Sequence, residues 1–352
     1  MHEAILYKKL ENNKVQCTAC KQYCFIAPNN TGTCGIRQNK DGKLYLLVYG
    51  KAGSANADPI EKKPLYHFMP STEIFSIGTV GCNFSCGFCQ NWDTSQITKD
   101  LKNKLLKEKK IANIDAEIGK FGYELLPEKI VEICIEKNIP SIAYTYNEPS
   151  IFLEYAYDTA KLANKKGIKN VFVTNGYESE EALNLLKPYL NAMNIDLKSF
   201  NDDFYKKICK ARLQPVLDTI KLAHKLGIWI EITTLVIPGK NDSDEELKKI
   251  TDFISTVDKN IPWHVTAFHP DYKMTDVPST TYETLNKAFT IGKKSGLKYL
   301  YVGNILDEEH SNTSCPNCNT LLIKRSGYSV NIENFENGTC KKCNEKIPGV
   351  WK

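Results

Sequence analysis

Three closely spaced cysteines are the residues of this 352-residue chain best suited to carry chemistry. Cys82, Cys86 and Cys89 lie within one short loop, directly after an apolar run of the kind that forms a β-strand. Three thiolates can bind three irons of a four-iron four-sulfur cluster, [4Fe-4S], which is normally held by four cysteines. The spacing therefore predicts a cluster in which one iron lacks a protein ligand and can bind another molecule.

Zinc is the main alternative ligand for these thiols. A closed zinc site needs four ligands. No cysteine or histidine follows Cys89 until Cys134, which lies on the apolar face of a predicted helix and is expected in the core. A zinc ion would need a distant fourth ligand, so the pattern favours the iron–sulfur cluster.

Two groups of four cysteines flank this loop in the sequence. The carboxyl-terminal group has the paired CX2C arrangement of a zinc ribbon and consists of Cys315, Cys318, Cys340 and Cys343. Four thiolates suit tetrahedral zinc, with a rubredoxin-type iron as the alternative, and a short tail with little core needs such a staple. The amino-terminal group can hold zinc, which we favour, or an auxiliary iron–sulfur cluster, and consists of Cys17, Cys20, Cys24 and Cys34.

The charge and composition argue against several classes of protein. The 46 basic and 41 acidic residues are spread along the chain and leave a net charge of +5, which is too small to indicate nucleic-acid binding. We expect neither a secretory signal nor a membrane span, because no long uninterrupted apolar run occurs. Thirteen cysteines at short gaps in such a chain indicate metal binding in a reducing compartment, which predicts a cytoplasmic protein.

Short apolar runs alternate with helical patterns through the middle of the chain, which predicts an α/β fold. The predicted strands are residues 74–80, 141–146, 170–175, 192–197, 229–237, 264–268 and 298–302. The predicted helices are residues 128–138, 150–166, 179–190, 214–226, 243–257 and 280–295. Six successive βα units favour a partial (β/α)6, TIM-like barrel, in which reactive groups come from the carboxyl ends of the strands.

The cysteine groups divide the chain into three predicted domains. Residues 1–72 form a cysteine-rich amino-terminal segment, residues 73–311 the catalytic core, and residues 312–352 a zinc-ribbon-like appendage. Within the core, residues 93–126 are lysine-rich and weakly periodic. They are predicted to form a surface insertion, either a solvated linker or a mobile lid.

Local signals mark a turn and two helix starts. The pair Asp41-Gly42 predicts the turn of a β-hairpin. Ser243 with Glu246, and Thr280 with Glu283, predict capping boxes, in which each side chain satisfies a free amide of the first helical turn.

Two further residues are candidates for substrate chemistry. His269 follows the sixth predicted strand, where a barrel admits its substrate, although a packed or surface position is the alternative. Cys209 follows the fourth strand and is a candidate hydrogen donor or thiol ligand, with inert burial as the ordinary alternative.

The CX3CX2C loop, with aromatic Phe88 before its last cysteine, resembles the signature of the radical S-adenosylmethionine (SAM) enzymes. Across nearly its whole length the chain is similar to the AmmeMemoRadiSam-system radical SAM enzymes, relatives of the pyruvate formate-lyase activating enzymes. The segments that carry this resemblance are residues 34–37, 58–68, 78–92, 144–149 and 263–273.

The resemblance implies a chemistry and a set of cofactor contacts. The open iron of the cluster chelates SAM, which is cleaved to methionine and a 5'-deoxyadenosyl radical that takes hydrogen from the substrate. The implied SAM contacts are an aromatic residue in the loop, an Asn-Glu pair for the ammonium group, polar residues for the ribose and carboxylate, and an apolar residue near adenine. These residues are Phe88, Asn147, Glu148, Thr174, Asn175, Asp196, Lys198 and Ile237.

Three functions follow from these observations. The first is a radical SAM oxidoreductase that abstracts hydrogen from a protein or other large substrate. The second is a glycyl-radical enzyme activase, although the chain lacks the ferredoxin-like cysteine insert of many such activases. The third, from another class, is an iron–sulfur or zinc electron carrier or binding module. The expected partners are a low-potential electron donor such as ferredoxin or flavodoxin, and, by resemblance, Memo-like and Ammecr-type proteins.

Overall fold

The computed structural model describes all residues from 1 to 352, which form two compact units. The amino-terminal unit consists of Met1–Ala57, Ile74–Asn191 and Cys209–Ala211. The carboxy-terminal unit consists of Asp58–Glu73, Ala192–Ile208 and Arg212–Lys352. The predicted domain limits at 72/73 and 311/312 follow cysteine content and stay predictions. Every helix is too short or too polar to cross a lipid bilayer.

The amino-terminal unit contains the first twelve strands and six helices of the chain, except for the strand-end residues Asp58, Pro59 and Glu73, which belong to the carboxy-terminal unit. Strands β1 to β12 are His2–Glu3, Tyr7–Lys9, Val15–Cys17, Phe25–Ile26, Arg37–Lys40, Lys43–Leu46, Lys51–Ala52, Ser54–Pro59, Glu73–Gly78, Tyr123–Glu124, Ser141–Tyr144 and Lys169–Thr174. Helices α1 to α6 are Trp92–Ser95, Ile97–Lys107, Ile114–Ile118, Pro127–Glu136, Leu153–Lys165 and Glu180–Leu186. Strand β11 pairs in parallel with both β9 and β12, and Cys134 is buried on α4 as expected.

The predicted hairpin is confirmed near the amino terminus. Strands β5 and β6 pair in an antiparallel register, and Asp41 and Gly42 between them both have positive φ angles, of 52° and 83°. Two successive positive φ angles are typical of the type I′ turn that matches the twist of paired strands.

Residues 93–126 differ from the prediction of a linker or lid. They form α2, α3 and the short strand β10, and Leu105, Ile114 and Ile118 are buried. The lysines concealed this pattern because they occupy the outer faces of short helices whose inner faces carry few apolar residues. The segment is therefore an ordered part of the amino-terminal unit.

The carboxy-terminal unit contains the remaining strands and helices. Strands β13 to β21 are Ala192–Asp196, Trp229–Val236, Trp263–Ala267, Leu300–Gly303, Thr313–Ser314, Leu321–Ser326, Ser329–Ile332, Phe335–Glu336 and Thr339–Cys340. Helices α7 to α10 are Asp202–Phe204, Leu213–Lys225, Asp244–Val257 and Tyr282–Lys294. Strands β13, β14, β15 and β16 pair in parallel, each with the next along the chain.

The predicted α/β class is confirmed, and the arrangement is consistent with a partial barrel. Counted along the chain, the parallel strands β9, β11, β12, β13, β14 and β15 are each followed by a helix. In folds with this alternation, the loops that follow the strands carry the functional residues. Each predicted strand and helix of the core agrees with an observed element to within a few residues.

One predicted capping box is half correct and the other is displaced. Ser243 caps α9 by accepting a hydrogen bond from the Glu246 N–H at 3.2 Å, but the Glu246 carboxylate instead accepts from the Phe200 N–H. Helix α10 is capped by Thr281 rather than Thr280. The Thr280 hydroxyl is buried and bonds to neighbouring strands, which removes it from the capping role.

Candidate functional site

The cysteine loop begins directly after β9, whose last five residues are buried. Gly81 opens the loop with a φ of +92°, and a Cβ atom at this position would lie 2.7 Å from the Cys34 carbonyl oxygen. Both the backbone conformation and the close packing therefore require glycine. Cys86 is buried, Cys82 and Cys89 are partly exposed, and none of the three forms a disulfide.

Polar groups surround the sulfur atoms of this loop. The Phe84 N–H donates to Cys82 Sγ at 3.4 Å, and Cys89 Sγ lies 3.1 Å from the Ser95 hydroxyl oxygen. Asn175 Nδ2 lies 3.9 Å from Cys82 Sγ. Hydrogen bonds to sulfur stabilise the thiolate form that binds metal. The loop therefore has the donor set and the surroundings of a three-thiolate cluster site.

Lys99, on α2, places a positive charge beside the loop. Its Nζ donates to Ser85 Oγ at 2.7 Å, to Gln96 Oε1 at 3.0 Å and to the Phe84 carbonyl oxygen. Burial lowers the pKa of Lys99, and negative charge on the cysteines opposes that shift. Sequence reasoning missed this residue because the surrounding stretch is rich in lysine. The one signal for Lys99 in the sequence is its position one helical turn after Ser95, whose hydroxyl group contacts Cys89.

Asn147 fastens the loop after β11 to the start of the cysteine loop. Its Nδ2 donates to Thr79 Oγ1 at 3.0 Å and to the Gly81 carbonyl oxygen at 2.8 Å. Its Oδ1 accepts from the Thr79 N–H at 3.3 Å. The side chain thus holds two loops in register, whereas the predicted contact of Asn147 with SAM stays a prediction.

Glu148 lies at the centre of a buried hydrogen-bond network. Its carboxylate accepts from the Ser150 N–H at 3.1 Å, from Thr174 Oγ1 at 2.9 Å and from the Asn175 N–H at 2.8 Å. Burial raises the pKa of Glu148, and these hydrogen bonds oppose the shift. Three of the residues predicted to bind SAM, namely Glu148, Thr174 and Asn175, therefore lie together at the ends of β11 and β12.

Glu178 is a second buried carboxyl group near this network and was not singled out from the sequence. Burial and the negative charge of Glu148 raise its pKa to about 8. A carboxyl group with such a pKa is largely protonated at neutral pH. Strongly shifted groups of this kind cluster at functional sites, so Glu178 adds to the indications of a site at this edge.

The carboxy-terminal unit holds three more of the residues predicted to bind SAM, at the ends of β13 and β14. Asp196 and Lys198 form an ion pair of 2.6 Å between Oδ2 and Nζ. Asn241 ties the two strand ends together, because its Nδ2 donates to the Lys198 carbonyl oxygen and its Oδ1 accepts from the Ile237 N–H, both at 2.6 Å. Ile237 is fully buried.

The remaining candidates differ in exposure. His269 follows β15 and is exposed. Phe88 is buried within the cysteine loop. Cys209 is buried at the end of the short π-helical segment Tyr205–Cys209, and its carbonyl oxygen accepts from the Ser85 N–H at 2.9 Å. The roles of His269 and Cys209 in catalysis stay predictions.

The carboxyl-terminal cysteines converge on one point. The four Sγ atoms lie within 4.8 Å of one another, with Cys315–Cys343 at 3.5 Å and Cys318–Cys340 at 3.7 Å. Four thiolates bound to one tetrahedral zinc at about 2.3 Å are separated by about 4 Å, so the group fits a single ion. Two β-hairpins carry the cysteines, and their core includes Tyr299, Leu322 and Phe335.

Comparison with known proteins adds the family context. Residues 76–254 match the Radical SAM superfamily. The chain is 46% identical over 351 residues to Uncharacterized protein MJ0808 of Methanocaldococcus jannaschii, over 99% of each protein. It is 23% identical over 225 residues to the pyruvate formate-lyase-activating enzyme of Clostridium pasteurianum, over 59% of this chain and 84% of that enzyme. A radical SAM methyltransferase from Sphaerobacter thermophilus aligns with a TM-score of 0.49 and 14% identity, over 67% of each chain.

The superfamily match covers about half of the chain and includes the cysteine loop, the Glu148 network and the ends of β13 and β14. Members of this superfamily use a [4Fe-4S] cluster and SAM, and the relatives with named activities are enzymes. From the match, together with the geometry of the loop, we conclude that the chain belongs to the radical SAM superfamily.

Proposed function

We propose that this protein is a radical SAM enzyme whose [4Fe-4S] cluster is held by Cys82, Cys86 and Cys89. The observation that carries the proposal is the position of three thiols on one loop, directly after a buried parallel strand and within the matched region. When bound, the cluster and SAM supply a reductive cleavage that yields methionine and a 5'-deoxyadenosyl radical for hydrogen abstraction. The chain's own residues hold and orient these groups.

Residues around the loop prepare it for that role. The Lys99 ammonium group offsets part of the negative charge that three thiolates bring together, and it holds the backbone between the first two cysteines. Asn147 fixes the entrance of the loop, and Asn175 reaches the Cys82 sulfur. Positioning side chains of this kind tune a metal site through its second coordination shell.

We assign SAM binding to the residues at the carboxyl ends of the strands. Glu148 is a buried carboxylate suited to an ammonium group, since charge-assisted hydrogen bonds are stronger than neutral ones. Lys198 suits a carboxylate group, and Asp196 suits ribose hydroxyl groups. Phe88 is a buried aromatic residue of the cysteine loop, and Ile237 offers apolar surface for the adenine ring.

The proposed substrate is a protein or another large molecule. The relative from Clostridium pasteurianum is named as an enzyme that activates another enzyme, which favours a macromolecular substrate. The same likeness supports glycyl-radical enzyme activation as the second candidate function. A low-potential ferredoxin or flavodoxin is the proposed reductant, whereas Memo-like and Ammecr-type partners and a cytoplasmic location stay predictions. We also propose that the carboxyl-terminal cysteines bind structural zinc, which their spacing fits.

The proposal is tested by measuring SAM cleavage. The anaerobically reconstituted protein receives dithionite and SAM, and 5'-deoxyadenosine is quantified by chromatography. We expect product from the wild type and from Cys134→Ala, which alters a buried cysteine of the core, and none from Cys86→Ala. Unchanged product formation in Cys86→Ala would remove this cysteine from the mechanism.

The same assay separates the candidate functions. An electron carrier or binding module would reduce its cluster without forming 5'-deoxyadenosine. A glycyl-radical activase would in addition generate the electron paramagnetic resonance (EPR) doublet of a glycyl radical on a partner enzyme. Cleavage of SAM without that doublet, whichever glycyl-radical enzyme is supplied, would favour hydrogen abstraction from another substrate.

A further inference from the structure

The amino-terminal cysteines share one pocket in the amino-terminal unit. The pocket is lined by Cys17, Cys20, Cys24 and Cys34. Arg37, Asn83 and Ile151 also line it, so the rest of the unit closes the pocket around the sulfur atoms. The four cysteines are separated by up to 17 positions in the sequence, and the fold nevertheless brings all of them to the lining of one pocket.

Peptide groups lie beside the sulfur atoms of this pocket. The Thr33 N–H donates to Cys24 Sγ at 3.4 Å, and the peptide groups of Ala19, Gln22 and Ile36 act in favour of the thiolate forms of Cys17, Cys20 and Cys34. Peptide donors stabilise thiolates and are a recurrent feature of metal-bound cysteines. Four thiols that bind no metal would have little need of such donors.

The spacing of the sulfur atoms discriminates between zinc and a larger centre. In the whole chain, residues 1–352, only the zinc-ribbon cysteines bring four ligand atoms within 4.8 Å of one another. The amino-terminal cysteines do not converge to that degree, and neither do Cys82, Cys86 and Cys89. A single tetrahedral ion draws its thiolates together, whereas in a cluster each thiolate binds a different iron and the sulfur atoms remain farther apart. The amino-terminal group therefore resembles the cluster loop and differs from the zinc ribbon.

Asn83 supplies a second, independent indication of a ligand in this pocket. Its side chain is 1% exposed, and its Nδ2 makes no hydrogen bond of normal geometry although it lies beside the Cys20 thiol. Its Oδ1 accepts from Asn175 Nδ2 at 2.8 Å, which fixes the amide orientation with Nδ2 available to the pocket. A buried N–H without a partner is costly, and the sulfides of a cluster would satisfy it.

We infer that Cys17, Cys20, Cys24 and Cys34 hold an auxiliary iron–sulfur cluster with no open coordination position, in place of the zinc that the sequence favoured. The cluster lies next to the SAM-binding site, because Asn83 follows Cys82 directly in the chain and contributes its side chain to the auxiliary pocket. The inference does not depend on SAM cleavage, since it concerns the metal content of a separate pocket.

Metal analysis of three forms of the full-length protein tests this inference. The three forms are the wild type, the triple variant Cys82→Ser/Cys86→Ser/Cys89→Ser and the double variant Cys17→Ser/Cys20→Ser. Each form is reconstituted anaerobically with iron and sulfide, desalted and assayed for iron, sulfide and zinc. We expect each variant to lose about half of the wild-type iron and to keep all of its zinc, because two clusters of similar size share the iron. After reduction, the triple variant should retain an EPR signal that does not change when SAM is added.

Two outcomes would overturn the inference. The first is a triple variant without iron. The second is a double variant that retains all of its iron and loses half of its zinc. If a variant fails to fold, the wild type alone decides the question. One zinc with more than four irons per chain supports the auxiliary cluster, and two zincs with about four irons refute it.

Discussion

Replacing Arg37 by methionine should destabilise the amino-terminal unit strongly. Arg37 forms a buried bidentate pair with Glu154, with distances of 2.5 Å and 3.2 Å, and its Nε donates to the Ile151 carbonyl oxygen at 2.8 Å. The side chains are 2% and 0% exposed. Methionine fills similar volume but leaves the buried Glu154 carboxylate without its cation, and the Ile5 N–H remains as a hydrogen-bond donor at 2.9 Å. Breaking a buried ion pair in this way costs roughly 3–5 kcal/mol.

The measurement is urea denaturation of the wild type and variants, followed by circular dichroism. Lys129→Met is the matched control, because Lys129 and Glu132 form a pair of 2.8 Å in the same unit but are 53% and 55% exposed. We expect its removal to cost about 0–1 kcal/mol. The double variant Arg37→Met/Glu154→Leu should recover most of the loss, since no buried charge remains. The reasoning is refuted if Arg37→Met lowers the unfolding midpoint no more than Lys129→Met does.

Three further predictions concern the cluster loop, pH and zinc. Lys99→Met should lower cluster occupancy and 5'-deoxyadenosine yield, because losing a charge-assisted hydrogen bond costs roughly 1.5–3 kcal/mol. Lys104 is exposed, so Lys104→Met should leave both quantities unchanged when iron and product are assayed. Burial lowers the pKa of His67 from 6.5 to about 4. The neutral, buried His67 therefore adds roughly 3 kcal/mol to the free energy of unfolding above pH 6.5, and this contribution is lost as the pH falls towards 4. The unfolding midpoint of His67→Phe should therefore change less between pH 6.5 and 4 than that of the wild type, and equal slopes would contradict this. Chelation of zinc, or Cys318→Ser, should release one zinc per chain and make residues 312–352 sensitive to protease, as mass spectrometry of the fragments would show.

Local patterns predicted most of the fold. The Asp41-Gly42 turn and the Ser243 cap depend on neighbours in sequence, and both are found where expected. Thr280 was assigned one position too early as a cap because its hydroxyl is used by distant strand backbone, which no local pattern records. Residues 93–126 were misinterpreted because short helices with few apolar residues give a weak periodic signal.

The candidate site was predictable in its residue types but not in its connections. The polar residues after β11 and β12 were singled out from the sequence, and the structure brings Glu148, Thr174 and Asn175 together, although their binding of SAM stays a prediction. The network around Glu148 joins residues up to 27 positions apart, and Arg37 pairs with a residue 117 positions away. Contacts at such separations depend on how the strands pack, so Lys99, Glu178 and Asn83 gained their significance only from the structure.

The contact between the two cysteine regions of the amino-terminal unit has a consequence for biosynthesis. The Cys34 carbonyl oxygen accepts from the Thr98 hydroxyl at 2.9 Å and leaves no room for a side chain at Gly81. Filling one pocket therefore restricts the backbone from which the other is built. We expect the state of one site to affect how quickly the other is filled, although each can form without the other, so the order of assembly matters most when iron is scarce.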